Sequence, residues 1–358
     1  MKAVLKKIFL SVCWRLGLFH VSRYLMKDKL QILCYHGFET YDETSFRPKL
    51  FIKKATFNKR LELISKYRFP VLTLDDALYK LRNNKLPRNA IVITIDDGFY
   101  NVLGIAADIL NAHKYPVTLY LTTYYVQKNS PIFRLVVQYM FWKTKKREVS
   151  FGGCAWNKNE NMDVRIDNDK ERERIIWDCI DYGENECSEP ERMRICQLLG
   201  SLLGVNYQQI RDSQILSLLT LDEAKLLDRK GINIQLHTHR HYFSVDDEAK
   251  AKKEIVDNRK VLDEIVDYPT NHFCYPSGIW NKDQWPWLEQ MSVYSATTCL
   301  PGLNNSECPA FGLKRFLDGE YINEMEFMAE LFGFMELARA LRKKTKDFII
   351  KWTPDFRQ

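Results

Sequence analysis

The sequence predicts an α/β protein in which short strands alternate with helices around a parallel sheet or barrel. Three observations predict it. Four short apolar segments, "LQILCYHGF", "AIVITIDDG", "INIQLHTHRH" and "HFCYPSG", each stop abruptly on polar or special residues. Helix-like stretches such as "TFNKRLELISKY" and "NVLGIAADILNAHK" follow the first two. All four polar clusters then fall at strand ends, where parallel α/β architectures gather their ligands.

Taken in order, residues 1–29 read as one amphipathic helix. Lys7, Ser11, Arg15 and Ser22 form a narrow polar stripe against Phe9, Leu10, Trp14, Leu18, Phe19, Val21 and Leu25. Two readings stay open for it, a helix packed on the domain or one lying in a membrane interface. The basic opening resembles a signal peptide, but Arg15 interrupts the apolar run and no small-residue cleavage site follows. No uninterrupted apolar run reaches the roughly 18 residues of a spanning helix.

The first strand ends at His36 and the second at Asp96. A further strand, "PVTLYLTT", covers 116–123. Residues 126–219 lose this rhythm, running from aromatic "FRLVVQYMFW" through basic "KTKKRE" to helix-like stretches near 172–182 and 190–203, and are expected to form a helical insertion. The rhythm returns at Thr220, where Thr220 and Glu223 fit a capping box and Gly231 marks a helix stop. One long helix, "DDEAKAKKEIVDNRKVLDEIV", leads to the strand ending in "CYPSG". The expected domains are therefore a split barrel over 30–125 and 220–320, the insertion at 126–219, and a basic helical segment at 321–358 that includes Arg339, Arg342, Lys343, Lys344 and Lys346.

Of 358 residues, 46% are apolar and 28% charged, an ordinary globular composition. The net charge of +7 selects no partner by itself. Its basic residues carry no nucleic-acid recognition motif, so nucleic acid is not an expected partner. Nine cysteines, an odd number without a C-x-x-C pair, argue for reduced thiols and a chain facing the cytosol, peripheral on the inner face of the membrane if its ends make contact.

The chemistry concentrates at two strand ends. In "HTHRH", His237, His239 and His241 lie where imidazoles can converge on one metal ion. In "IDDG", two adjacent carboxylates repel unless a cation relieves them. Asp97 as a metal ligand leaves Asp96 free to accept a proton from activated water. The alternative is a helix cap at Asp97 with Gly98 opening the turn.

"ITIDDGF", "HTHRH" and "FCYPSG", in this order and each after a strand, resemble the motifs of the polysaccharide deacetylases, carbohydrate esterase family 4 with its NodB-homology domain. "LCYHGF", "ATTCLPGLNN" and "LKRF" extend the likeness, which covers about residues 30–125 and 220–317. The resemblance implies a distorted (β/α)7-type barrel and a divalent metal, zinc or else cobalt, nickel or manganese, with no other cofactor. It implies Asp97, His237 and His241 as ligands, Asp96 as catalytic base, and His239 as a neighbour at a variable position. Among substrate-facing groups it implies Tyr275 at the acetyl pocket, with Pro276 and Gly278, and the backbone of Ser277 toward the oxyanion.

Two departures bear on the mechanism. Cys274 stands where many members have an arginine that orients the base. Arg315 is open between supplying that cation from another strand end and a surface ion pair, and is counted with the substrate-facing groups. No histidine follows His272, so the late catalytic histidine of many members is missing and His36 becomes the expected acid, against a purely structural role. The expected function is metal-dependent removal of an acetyl group from an N-acetylated sugar of a bacterial surface polysaccharide or its lipid-linked precursor. O-deacetylation or deformylation of a lipid-linked sugar, and sugar binding without turnover, are the alternatives.

Overall fold

The computed structural model describes residues 2–157 and 163–342. Seven parallel strands form the central sheet: β1 (Gln31–Tyr35), β2 (Ile91–Asp97), β3 (Thr118–Leu121), β4 (Asn233–Leu236), β5 (His272–Cys274), β6 (Ser295–Thr297) and β7 (Phe316–Leu317). Their spatial order is β6-β5-β4-β3-β2-β1-β7, so two successive strands, β2 and β3, step outward from β1 before the chain leaves for the helical region. The sheet curls as a distorted (β/α)7 barrel. Its gap is spanned by one segment: Leu313 bridges to Thr297 of β6, while Phe316 and Leu317 pair with Leu33 and Cys34 of β1. Arg315 lies in the middle of that closing segment.

Side chains alternate across each strand, and the burial divides accordingly. Leu33, Tyr35, Ile91, Ile93, Ile95, Leu119 and Ile234 belong to the large core beneath the surrounding helices. Ile32, Val92, Tyr120, Cys274 and Leu313 form a separate inner cluster, closed by Leu74, Ala77, Leu78 and Leu81 of the helix Leu74–Arg82. The inner positions are thus apolar in the depth of the barrel and turn polar at its mouth. Along β2 that inner series is Val92, Thr94 and Asp96.

The expected helices are present with adjusted ends. "TFNKRLELISKY" lies in helix Lys54–Lys66, and the stretch after the aspartates begins with a widened turn, Val102–Ala106, before helix Ala107–His113. The capping box at Thr220 is formed, with the Thr220 amide donating to Glu223 at 2.7 Å and the Glu223 amide to the Thr220 hydroxyl at 3.3 Å. The long helix before β5 runs Glu248–Leu262. In the region 126–219, helices Phe133–Lys143, Asp169–Glu186 and Glu189–Leu203 pack on one another.

The amino-terminal reading needs correction. Residues 1–29 hold two helices, Lys2–Arg15 and Leu18–Leu25, because Gly17 takes a left-handed φ of 76° and turns the chain. Ser22, expected on the polar stripe, is buried, and its hydroxyl donates to the carbonyls of Phe19 and Phe332. At the other end, Lys343, Lys344 and Lys346 lie outside the described residues. Among the described residues no helix is long and apolar enough to cross a membrane.

Candidate active site at the barrel mouth

The two adjacent acids face different ways. Asp96 ends the inner series of β2 and points into the barrel. Asp97 leaves the strand with a left-handed φ of 68°, and this turn carries its carboxylate toward β4. Gly98 follows with φ 88°, and a Cβ there would stand 2.2 Å from Leu121 Cδ1, so the sequence after the acids requires glycine.

Asp97 meets the histidine loop. Its Oδ1 is 3.1 Å from His237 Nε2 and 3.3 Å from His241 Nε2. The donor atoms of Asp97, His237 and His241 all lie within 4.8 Å of one another. His237 Nδ1 is 2.9 Å from the Cys274 carbonyl, a partner that in the neutral ring would hold the Nδ1 proton and leave the Nε2 lone pair for a cation. Burial pushes the Asp97 carboxyl up, but the charge of His241 and hydrogen bonds from both imidazoles hold it well below the usual carboxylate range. An ionised carboxylate and two imidazole nitrogens turned toward one point suit a divalent cation such as zinc. The carboxylate thus serves the histidines, and the helix-cap reading of Asp97 does not hold.

His239 points away, its Nδ1 3.0 Å from the Thr123 hydroxyl and its ring edge-on to Tyr124. The loop turns through left-handed residues Thr238 (φ 65°) and His241 (φ 56°). Helix Glu248–Leu262 holds it there. Glu254 accepts from the Arg240 amide at 2.7 Å, and Asn258 accepts from the His237 amide at 3.0 Å. Asn258 also donates to the Leu121 carbonyl and the Thr123 hydroxyl, both at 3.0 Å, tying β3 to the end of β4. The sequence reading missed Asn258. Its signal was an asparagine on the buried stripe of Ile255, Val261 and Leu262, a position that demands a polar partner.

Asp96 meets Arg315. The guanidinium grips the carboxylate with both prongs, Nη1 to Oδ1 and Nη2 to Oδ2, each at 2.7 Å. Arg315 also donates to the Thr298 carbonyl at 3.0 Å and approaches Cys274 Sγ at 3.1 Å. The thiols of Cys274 and Cys34 lie 3.3 and 3.5 Å from Asp96 Oδ2. Burial raises the Asp96 carboxyl, and the charge and paired hydrogen bonds of Arg315 more than offset it, so the group stays ionised far below neutral pH. The cation expected from the third motif therefore arrives from the closing segment, in the space left by the smaller Cys274.

This corrects the placement of Arg315 among substrate-facing groups. It is fully buried behind Asp96. Tyr275 is corrected too: its ring is buried, stacked on Trp280, with its hydroxyl donating to the Phe311 carbonyl at 3.1 Å, so it shapes the wall from behind. Pro276 and Ser277 do line the cleft, and Ser277 takes a left-handed φ of 55°. Gly278 packs against Cys299, where a Cβ would stand 2.7 Å from Cys299 Cβ. His36 reaches the other side of Asp96, with Nε2 3.7 Å from its Oδ2 and a buried Nδ1 that has no partner among the described residues.

A cleft of about 720 Å³ opens in front of Asp97 and His241. Its far wall comes from the helical region, through Ile132, Arg134, Leu135, Glu184 and Arg192. Arg134 is paired with Glu184, and Arg192 lies 3.4 Å from Glu189 while donating to the carbonyls of Gly183 and Glu184, so these cations are already compensated.

Residues 203–296 match the family of the polysaccharide deacetylases, a span that holds the histidine loop, its supporting helix and the third motif. Over this span, 94 of the 358 residues, the chain is similar to the polysaccharide deacetylases. Similar solved folds include the Streptococcus pyogenes deacetylase PplD in complex with acetate, at 15% identity over 85% of this chain and 98% of that one, with a TM-score of 0.55. IcaB from Ammonifex degensii is 14% identical over 86% of this chain and 97% of its own, with a TM-score of 0.52. A de-N-acetylase from Aggregatibacter actinomycetemcomitans is 12% identical over 84% and 99%, with a TM-score of 0.53. These likenesses are of fold. No curated protein sequence matches this chain.

Proposed function

We propose that this protein is a polysaccharide deacetylase that removes the acetyl group from an N-acetylated sugar of a bacterial surface polysaccharide or its lipid-linked precursor. One observation carries the reading: Asp97, His237 and His241 converge at the cleft while the neighbouring Asp96 is kept ionised by Arg315. Asp97, His237 and His241 would hold a divalent metal, zinc or one of its relatives. Such an ion supplies Lewis acidity, polarising an acyl carbonyl and lowering the pKa of water.

The chain's own residues supply the rest. Asp96 accepts the proton of the water that adds to the acetyl carbon, and the Arg315 fork fixes the lone pairs of its two oxygens. The backbone at Ser277 donates to the oxygen that gains charge. The carbon–nitrogen bond then breaks, acetate forms, and the nitrogen leaves as the sugar amine with a proton from His36. Burial lowers the pKa of His36 in spite of the carboxylates of Asp96 and Asp97, which makes its protonated ring a ready donor to an amine. The wall of Ile132, Leu135 and Arg192 limits the length of sugar the cleft takes.

Sugar binding without turnover drew support from the missing late histidine and the missing third-motif arginine, and the Arg315 fork answers the second of these. The test is acetate release from N-acetylated glucosamine oligomers and from polyprenyl-linked acetylamino sugars, comparing the intact protein with Asp96→Asn. Release that falls by about 100-fold or more in the variant is expected for a lost general base. Equal release by both proteins contradicts the assignment.

A further inference from the structure

The two amino-terminal helices carry a second apolar face that the barrel does not use. Their inner side is already satisfied: Leu10, Cys13 and Phe19 are buried, and Trp14 and Phe19 pack on Phe332 with ring centroids 5.4 and 6.3 Å away. On the opposite side Val4, Ile8, Val12 and Leu16 recur at intervals of four residues, flanked by Leu5 and Phe9, and all six are 48–70% exposed. Leu18, Val21, Tyr24 and Leu25 continue the surface along the second helix at 41–64% exposure. Ten of the 24 large apolar residues exposed among the described residues thus fall within 22 consecutive positions. Single exposed apolar residues are ordinary, whereas a continuous surface of this size marks a site of contact.

Charge selects the occupant. Residues 2–27 contain six basic side chains, Lys2, Lys6, Lys7, Arg15, Arg23 and Lys27, and no acidic one. Lys6 is held by Glu326 at 2.7 Å, while Lys7 and Arg15 are exposed beside the apolar row. A second copy of this face would set like charges against each other. The chain's own residues 343–358, with Lys343, Lys344, Lys346, Lys351 and Arg357 against Asp347 and Asp355, are basic as well. An anionic bilayer supplies both what the apolar row buries and what the lysines and arginines attract. We propose that residues 4–25 form a membrane-docking face that lies in the interface of an anionic lipid bilayer and holds the enzyme there.

The inference is independent of the catalytic reading and is tested on the full chain by vesicle co-sedimentation. Vesicles of phosphatidylcholine with phosphatidylglycerol are compared with phosphatidylcholine alone, using the natural protein, I8S/V12S, and K7Q/R15Q. The natural protein is expected to partition onto the anionic vesicles. Each double variant should lower the partition coefficient by about tenfold or more, with an unchanged melting curve. Four results overturn the proposal: no partition onto either vesicle, equal partition of all three proteins, partition that appears only after residues 343–358 are removed, or a solution dimer broken by I8S/V12S without any vesicle binding.

Discussion

The closing segment around β7 holds two buried acid–guanidinium pairs with opposite outcomes. On one side Arg315 grips Asp96 with two equal bonds of 2.7 Å, and the carboxyl falls below its ordinary range. On the other, Arg60 gives Asp318 one bond of 3.0 Å through Nε and turns another nitrogen to the Ile322 carbonyl. There burial wins, and Asp318 is pushed up to about 6. Both carboxylates are shut away from water, so their partners decide: Asp96 has the Arg315 fork and the charges of His36 and His237, while Asp318 has Arg60 and the Gly319 amide. A two-pronged contact keeps a buried acid ionised, whereas a single bond leaves it close to neutralising itself. The first pair belongs to the proposed chemistry and the second to the fold.

Breaking the first pair should have the larger effect. Arg315→Met leaves Asp96 buried without its cation, and stability should fall by about 3–5 kcal/mol in chemical unfolding. Acetate release measured below the melting transition should fall by about 100-fold, with the acid limb of the rate profile moved to higher pH, because Asp96 titrates higher without the guanidinium. Arg315→Lys should restore only part of this, since an ammonium cannot form the fork. Arg60→Met sharpens the contrast. It should lose less stability than Arg315→Met, because Asp318 can take up a proton, and its kcat/KM at 25 °C should stay within about threefold of the natural protein.

Smaller effects test the supports. Asn258→Ala should cost about 1–3 kcal/mol by orphaning the His237 amide and the Leu121 carbonyl. It should also weaken metal binding by about 10- to 100-fold in a chelator competition, because the loop that presents His237 loses its tether. Asp318 predicts a pH effect of known sign. Its folded value of about 6 lies above the ordinary 3.8, so its stabilisation is complete below the lower value and is lost as pH rises through the upper one. The stability of the natural protein minus that of Asp318→Asn should therefore decline by about 2 kcal/mol between those limits.

Much of this arrangement was legible in the chain because strand ends write it locally. The alternation through Val92, Thr94 and Asp96, and the histidines after β4, lie within a few residues of their strands. The acid-orienting cation was harder to read. Arg315 comes from the segment that closes the barrel, 219 residues from Asp96, and only the curl of the sheet brings them together. Tyr275 looked like a pocket residue because sequence order places it beside Ser277, but alternation turns its ring into the wall. Asn258 sat inside a helix whose apolar stripe hid its role. The break at Gly17 was legible in principle, as a glycine midway through a helical pattern, yet the apolar residues on both sides continued the pattern across it.

The central claim is that two adjacent acids divide the work, Asp97 toward a cation and Asp96 toward a proton. Metal content per chain, measured alongside acetate release on Asp96→Asn and Asp97→Asn prepared in parallel, tests it most directly. The account predicts that Asp96→Asn keeps the metal of the natural protein while release is lost, and that Asp97→Asn loses both. Metal lost equally from the two variants, or release that survives in Asp96→Asn, would contradict it.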